Sequence, residues 1–152
     1  MSTLKIGIIG VGGIAKTHLP GWQESHHSEV IASSDINETV LKEWGSNYQI
    51  NRLYKDPYEL IADPEIDVVD ICTPNNYHCD LAIKSMEAGK HVLCEKPFAM
   101  NQIEGEQMLG KAEATGLTAM IAHEFRFAPG RAYVKELLGQ GYVGDLRMIH
   151  VT

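Results

Sequence analysis

The chain has 152 residues, of which 44% are hydrophobic and 22% are charged, a composition typical of one globular domain with its own core. Its formal net charge of −7 argues against a nucleic-acid partner or an anionic membrane surface, and no apolar run reaches the roughly 18 residues of a membrane span. The three cysteines, Cys72, Cys79 and Cys94, form no CxxC pair, so we expect no disulfide framework and a reducing, cytoplasmic location.

Short β-branched runs alternate with amphipathic segments along most of the chain. The β-branched runs predict strands over 4–10, 30–35, 51–54, 66–73, 91–95 and 117–123. The amphipathic segments predict helices over 14–25, 37–48, 56–63, 77–90, 100–116 and 130–141. Pro20 and Gly21 should bend the first helix or end it early. Repeated strand–helix units predict an α/β fold, a doubly wound parallel sheet with helices on both faces.

The last segment, residues 144–152, alternates apolar and polar side chains and predicts a strand with no helix after it. We interpret residues 1–143 as one domain and residues 144–152 as the first strand of a second domain that the chain does not contain. An unpaired strand edge seeks a partner. Because the six-stranded sheet is expected to be completely covered by helices, we expect this segment to pair with another copy, giving a homo-oligomer.

The stretch "GVGGIA" (10–15) follows the first strand and opens the first helix. It fits the pattern G-x-G-x-x-A, in which Gly10 allows a tight turn, Gly12 allows close backbone approach to a pyrophosphate and Ala15 allows the helix to pack on the strand. Asp35 ends the second strand, where a carboxylate can accept hydrogen bonds from ribose hydroxyls. The pattern predicts a dinucleotide site; the alternative is a purely structural turn, with Asp35 only capping a helix.

The residues that follow Asp35 bear on which dinucleotide would bind. They are Ile36, Asn37 and Glu38, so no arginine stands where it could accept a 2′-phosphate. A 2′-phosphate would meet negative charge at this position. The sequence therefore favours NAD over NADP.

Polar clusters follow three later strands of the predicted sheet: "CTPNNYH" (72–78), "CEKP" (94–97) and "AHEFRFAP" (122–129). Parallel strands place these ends on one edge of the sheet, together with the glycine turn, and ligands of open α/β sheets bind at that edge. Each cluster alone could be an ordinary polar loop. Their coincidence on one edge favours a functional crevice.

These motifs, in this order and spacing, resemble the glucose–fructose oxidoreductase / myo-inositol dehydrogenase / MocA family across essentially the whole chain. The resemblance implies a Rossmann NAD(P)-binding domain and NAD(P)-dependent oxidation of a small-molecule sugar, polyol or cyclitol. With the glycine turn, it predicts cofactor contacts from Gly10, Gly12, Gly13, Ile14, Asp35, Thr73, Pro74, Asn75, His78, Glu95, Lys96 and Arg126. It also favours a cis bond between Lys96 and Pro97.

The family resemblance also implies a second α/β domain that supplies most of the substrate pocket, the usual oligomer interface and an Asp-x-x-x-His catalytic pair. No such pair occurs after residue 130. The chain is therefore expected to be the cofactor-binding half of such an enzyme. The alternative is a stand-alone dinucleotide-binding sensor or regulatory module without catalysis.

Lys96 is the one residue predicted to be catalytic. Oxidation of an alcohol needs a base for the hydroxyl proton and a donor that holds the developing alkoxide, and a lysine can serve in both roles. Pro97 biases the Lys96 backbone to an extended conformation, and Glu95 could pair with the lysine or position the cofactor. The alternative is a surface lysine beside a turn proline.

Several other residues of chemical interest are given structural roles. His18, within the first helix, is expected to be packed or on the surface. Cys72, His78 and Cys79 suggest a metal site, but no fourth ligand is evident, and we predict none. Two roles for His123 fit the sequence equally: a contact in the crevice, or a hydrogen bond at a strand end.

Overall fold

The computed structural model describes residues 3–150, which form two compact units, residues 3–122 and residues 123–150. The strands of the first unit are β1 (Leu4–Ile9), β2 (Ser28–Ser34), β3 (Arg52–Tyr54), β4 (Val68–Ile71), β5 (His91–Cys94) and β6 (Ala119–Ile121). Its helices are α1 (Ala15–Glu24), α2 (Glu38–Tyr48), α3 (Pro57–Ala62), α4 (His78–Glu87) and α5 (Gln102–Thr115). The second unit contains a 3₁₀ turn (Glu124–Phe127) and α6 (Pro129–Gly139).

The six strands form one parallel sheet in the order β3-β2-β1-β4-β5-β6. The predicted doubly wound α/β fold is confirmed. The strand order reverses between β1 and β4, and a crevice opens at the carboxyl ends of the strands at such a switch point. The turns after β1, β4 and β5 therefore come together at one edge of the sheet.

The sheet buries apolar side chains on both faces, as the continuous apolar runs in the sequence predict. The face under α1 and α2 is built from Ile6, Ile8, Val11, Ala15, Leu19, Leu41, Trp44, Ile50, Val68 and Cys72. The face under α3, α4 and α5 is built from Ile9, Ala32, Leu60, Ile61, Ile66, Val69, Ile71, Leu81, Ala82, Met86, Val92, Cys94 and Met108. Cys72 and Cys94 are thus core residues.

Local capping chemistry explains where several helices begin. The Asn37 side chain accepts hydrogen bonds from the backbone N–H groups of Thr39 and Val40, so it caps α2. Pro57 is the first residue of α3, where its missing N–H costs nothing. The prediction that Pro20 could end α1 early is wrong, because α1 continues to Glu24 with Pro20 on its exposed side.

The expectation that helices cover the whole sheet is also wrong. All three residues of β6 are exposed, including Met120 and Ile121. Beside them a groove of about 600 Å³ runs along α5, lined mainly by apolar side chains such as Met108 and Leu109. A strand at the edge of the sheet buries both faces only where helices reach it, and α5 leaves this groove open.

The strand predicted over 144–152 is not formed over the described residues 144–150, which are exposed; residues 151 and 152 lie outside the described residues. A strand requires a neighbour for its backbone hydrogen bonds, and residues 144–150 have none within the part of the chain that the structure describes. The assignment of this segment to a second domain, and the homo-oligomer expected from it, stay predictions. Within residues 3–150 no helix is long and apolar enough to cross a membrane.

Candidate functional site

The glycine turn (residues 10–15) connects β1 to α1 and packs directly against the end of β4. Gly10 has φ +86°, a backbone conformation that glycine alone adopts at little cost. A Cβ at this position would lie 2.9 Å from the carbonyl carbon and oxygen of Cys72. At Gly12 and Gly13 an added Cβ would meet nothing within 4 Å. The tight turn predicted at Gly10 is confirmed, and open space lies beside Gly12 and Gly13.

The first helix presents an uncapped N-terminus at this turn. α1 begins at Ala15, which is fully buried against the sheet, and no side chain caps the helix. Its first turn also contains no acidic residue. The partial positive charge of the helix N-terminus is therefore available to an anion such as a phosphate.

Asp35 lies at the end of β2, next to the glycine turn. One carboxylate oxygen accepts a hydrogen bond from the backbone N–H of Val11 (3.0 Å), and the other accepts from the N–H of Asn37 (2.9 Å). Asn37, not Asp35, caps α2. A carboxylate has about four acceptor positions, so Asp35 retains capacity for ribose hydroxyls while it holds the turn.

A cavity of about 410 Å³ lies where the turns after β1, β4 and β5 meet. Every lining residue except Pro97 belongs to the set that the sequence predicts to contact the cofactor. The cavity is lined by Ile14, Thr73, Pro74, Asn75, His78, Glu95, Lys96 and Pro97. The polar clusters after β4 and β5 thus line one open crevice at this edge of the sheet.

His78 connects two walls of this cavity. It is buried, and its ring nitrogens lie 2.8 Å from the carbonyl oxygen of Thr73 and 3.0 Å from that of Pro97. The Lys96–Pro97 bond is cis, as expected. His78 therefore ties the loop after β4 to the proline turn after β5, a role in holding the walls together.

The "CEKP" turn places a buried glutamate next to an accessible lysine. Glu95 is 5% exposed, whereas the Lys96 side chain is 46% exposed. The Lys96 N–H donates to Oε2 of Glu95 (3.0 Å), and the Lys96 ammonium lies 4.0 Å from the same oxygen. Glu95 thus faces inward and fixes the turn, and Lys96 provides an accessible charge at the cavity.

A buried polar cluster that the sequence analysis missed lies behind Glu95. His18 of α1 contacts Asp70 of β4 through Nδ1 and Glu95 through Nε2, each at 3.0 Å. The indole N–H of Trp22 donates to Asp70 at 2.7 Å. The interpretation of His18 as a packed or surface residue misses its ionic role. A signal was available, since Asp70 stands inside the buried run "VVDIC" and a buried carboxylate requires a partner.

Cys72 completes this cluster. The Nδ1 of His18, a carboxylate oxygen of Asp70 and Sγ of Cys72 lie within 4.8 Å of one another. The Cys72 thiol donates to Asp70, and burial raises its pKa well above the usual range, so it stays protonated. The Cys72, His78 and Cys79 combination considered from the sequence is not brought together as a ligand set.

Arg126 belongs to the second unit of the structure. There it is exposed, and its guanidinium carbon lies 5.4 Å from the centre of the Phe127 ring. Its predicted contact with the cofactor stays a prediction.

Comparison with known proteins identifies the family. Residues 4–123 match the model of GFO_IDH_MocA, described as an oxidoreductase family with an NAD-binding Rossmann fold. The chain belongs to this family. The expected Gfo/Idh/MocA resemblance is confirmed, and so is NAD as the cofactor of the domain.

Several relatives in the Gfo/Idh/MocA family match almost the whole chain. The myo-inositol 2-dehydrogenase of Thermotoga maritima is 31% identical over 149 residues, which are 98% of this chain and 45% of the relative. The trans-1,2-dihydrobenzene-1,2-diol dehydrogenase of Mus musculus is 36% identical over 149 residues, 95% of this chain and 44% of the relative. The chain therefore spans less than half the length of the curated relatives that it matches.

Solved structures of the Gfo/Idh/MocA family have the same fold. The scyllo-inositol dehydrogenase of Lactobacillus casei with bound NAD(H) and scyllo-inositol superposes with a TM-score of 0.90 at 26% identity, covering 95% of this chain and 43% of that one. An oxidoreductase from Agrobacterium radiobacter in complex with NAD⁺, L-tartaric acid and magnesium gives 0.91 at 28% identity, covering 95% and 42%.

The residues present fit a dinucleotide on independent grounds. The hydroxyl oxygen of Thr73, on the cavity wall, is buried and has no hydrogen-bond partner among residues 3–150. Such an orphaned group is rare in a folded protein and marks a position where a ligand can bind. The open space at Gly12 and Gly13 and the uncapped helix end add room and positive potential for a pyrophosphate.

Proposed function

We propose that this chain is the cofactor-binding half of an NAD-dependent dehydrogenase that acts on a hydroxyl group of a sugar, polyol or cyclitol. The observation that carries the proposal is the shared cavity, in which the glycine turn, the loop after β4 and the "CEKP" turn meet. The activities for which the relatives are named, on myo-inositol and on a cyclic diol, support a polyhydroxylated substrate.

NAD is held in this proposal by the glycine turn and the strand ends. Gly12 and the N-terminus of α1 receive the pyrophosphate, Asp35 accepts from the ribose hydroxyls, and Thr73 offers its unpartnered hydroxyl. When bound, NAD supplies the hydride acceptor or donor of the reaction. The carboxylate of Asp35, with no arginine in the residues that follow it, favours NAD over NADP.

Lys96 is the proposed catalytic residue. Lys96 lines the cavity on a turn fixed by Pro97 and Glu95, so its side-chain nitrogen can form a hydrogen bond with a substrate hydroxyl group. In oxidation the neutral amine accepts the hydroxyl proton, and the resulting ammonium stabilises negative charge on that oxygen. In the reverse direction the same group returns the proton.

Calorimetric titration of the chain with NADH and NADPH tests the cofactor part of this proposal. We expect NADH to bind more tightly, and Asp35→Ala to weaken NADH binding by about tenfold or more, since hydrogen bonds to a carboxylate are lost. Glu29→Ala, at the opposite end of the same strand, is the matched control and should bind NADH normally. Tighter NADPH binding, or an unchanged NADH affinity in Asp35→Ala, would contradict the proposal.

A further inference from the structure

A line of hydrogen bonds runs from the interior of the sheet to the cavity. Asp70 is fully buried on β4, and Nδ1 of His18 contacts it from α1. Nε2 of the same imidazole ring contacts Glu95. The second oxygen of Glu95 accepts the backbone N–H of Lys96. His18 is thus connected to Lys96 through a single carboxylate.

The protonation of His18 follows from counting hydrogens in this line. Both ring nitrogens lie 3.0 Å from carboxylate oxygens, and an ionised carboxylate can only accept. With both carboxyl groups ionised, both contacts are hydrogen bonds only if both nitrogens carry protons, which makes the ring an imidazolium. Two buried carboxylates with no cation between them would also be costly, and the imidazolium compensates them.

Trp22 and Cys72 complete the surroundings of His18. Trp22 donates to Asp70 from the same helix, and the Cys72 thiol lies 3.5 Å from Nδ1 and stays protonated. Hydrogen bonding to Asp70, with its charge and the contact to Glu95, outweighs burial and raises the pKa of His18 to about 8. Lys96, beyond Glu95, is the nearest other cation in the line.

We propose that His18 is a positioning residue whose imidazolium holds the Glu95 carboxylate and, through it, sets the position of Lys96 at the cavity. The proposal rests on the proposed role of Lys96. With His18 charged, one oxygen of Glu95 is committed to the imidazolium and the other to the Lys96 backbone. When His18 loses its proton, a ring nitrogen lone pair faces a carboxylate, so Glu95 turns away and its charge becomes available to the Lys96 ammonium.

Nuclear magnetic resonance of the full chain tests the first step without cofactor or substrate. Imidazole nitrogen shifts of ¹⁵N-labelled protein are followed from about pH 5.5 to about pH 9.5, a range that covers the titration of histidine. The His18 signals are assigned by their absence in His18→Gln, with the exposed His26→Gln as control. We expect both nitrogens of His18 to be protonated at neutral pH, with a midpoint near 8. A neutral His18 at pH 7 would overturn the proposal.

The second step is measured at the lysine itself. Lysines are dimethylated with ¹³C, which preserves their charge, and the Lys96 signal is assigned by its absence in Lys96→Arg. We expect this signal to shift with the His18 midpoint in the unmodified sequence and to lose that shift in His18→Gln. In Glu95→Gln the lysine shift should also vanish while His18 still titrates, at a lower pH.

A Lys96 signal that does not respond near the His18 midpoint, or that responds equally in His18→Gln or Glu95→Gln, would overturn the proposal. If His18→Gln does not fold, the unmodified chain and Glu95→Gln still decide it. Turnover plays no part in these measurements. The Lys96 signal could shift with the His18 midpoint even if Lys96 is not catalytic, and a catalytic Lys96 could give a signal that does not shift there. The two proposals therefore fail separately.

Discussion

Replacement of His18 by glutamine should change how the stability of the chain depends on pH. His18 has a pKa of about 8 in the folded chain, against 6.5 for an unperturbed histidine, because its ring nitrogens hydrogen-bond to the carboxylates of Asp70 and Glu95. Its side chain is only 12% exposed, so solvent screens the interaction little. The difference in pKa corresponds to about 2 kcal/mol of the free energy of unfolding.

The sign follows from which state binds the proton more tightly. The folded pKa is the higher one, so this stabilisation is fully present well below pH 6.5 and is lost as the pH rises through about 8. Linkage gives about 2 kcal/mol at pH 5.5, about 0.4 kcal/mol at pH 8 and about zero at pH 9. His18→Gln lacks this term at every pH.

Urea unfolding of the unmodified chain and of His18→Gln at a series of pH values measures this difference. The two free energies of unfolding should converge by about 2 kcal/mol between pH 5.5 and pH 9, apart from a constant offset for packing. The exposed His26→Gln should track the unmodified chain throughout. A difference between the unmodified chain and His18→Gln that does not vary with pH would refute the assignment of an imidazolium in the core.

Three further predictions concern the cavity and the glycine turn. In an enzyme that carries the second domain implied by the family resemblance, Lys96→Ala should lower turnover by about 10²–10⁴-fold with little change in NADH affinity; near-normal turnover would mean that the lysine is structural. Gly12→Ala should change the free energy of unfolding by no more than about 0.5 kcal/mol, because its Cβ meets no protein atom. The same Cβ should weaken NADH binding, because Gly12 is proposed to allow close approach of the pyrophosphate. Gly10→Ala should instead cost on the order of 1–3 kcal/mol in unfolding experiments, since φ is positive and Cys72 is 2.9 Å from the new Cβ; a stable Gly10→Ala would contradict this.

The sequence by itself predicts the fold and most of the cavity wall, because both depend on local patterns. Apolar runs and capping residues such as Asn37 and Pro57 determine where strands and helices form. Parallel strands then bring their carboxyl ends to one edge of the sheet, so the strand order alone predicts that motifs far apart in sequence lie close together. The tight turn at Gly10 follows in the same way from the spacing of the motif.

Only the tertiary structure decided which charges compensate each other in the interior. His18 lies 52 positions from Asp70 and 77 from Glu95, and nothing in the periodicity of α1 indicates that it faces two carboxylates. The exposure of Met120 on β6 likewise depends on which helices reach the edge of the sheet. The hydrophobic pattern of a sequence indicates which residues are buried. The free-energy cost of burying a charge depends on which group contacts it, and how the helices pack on the sheet determines that group.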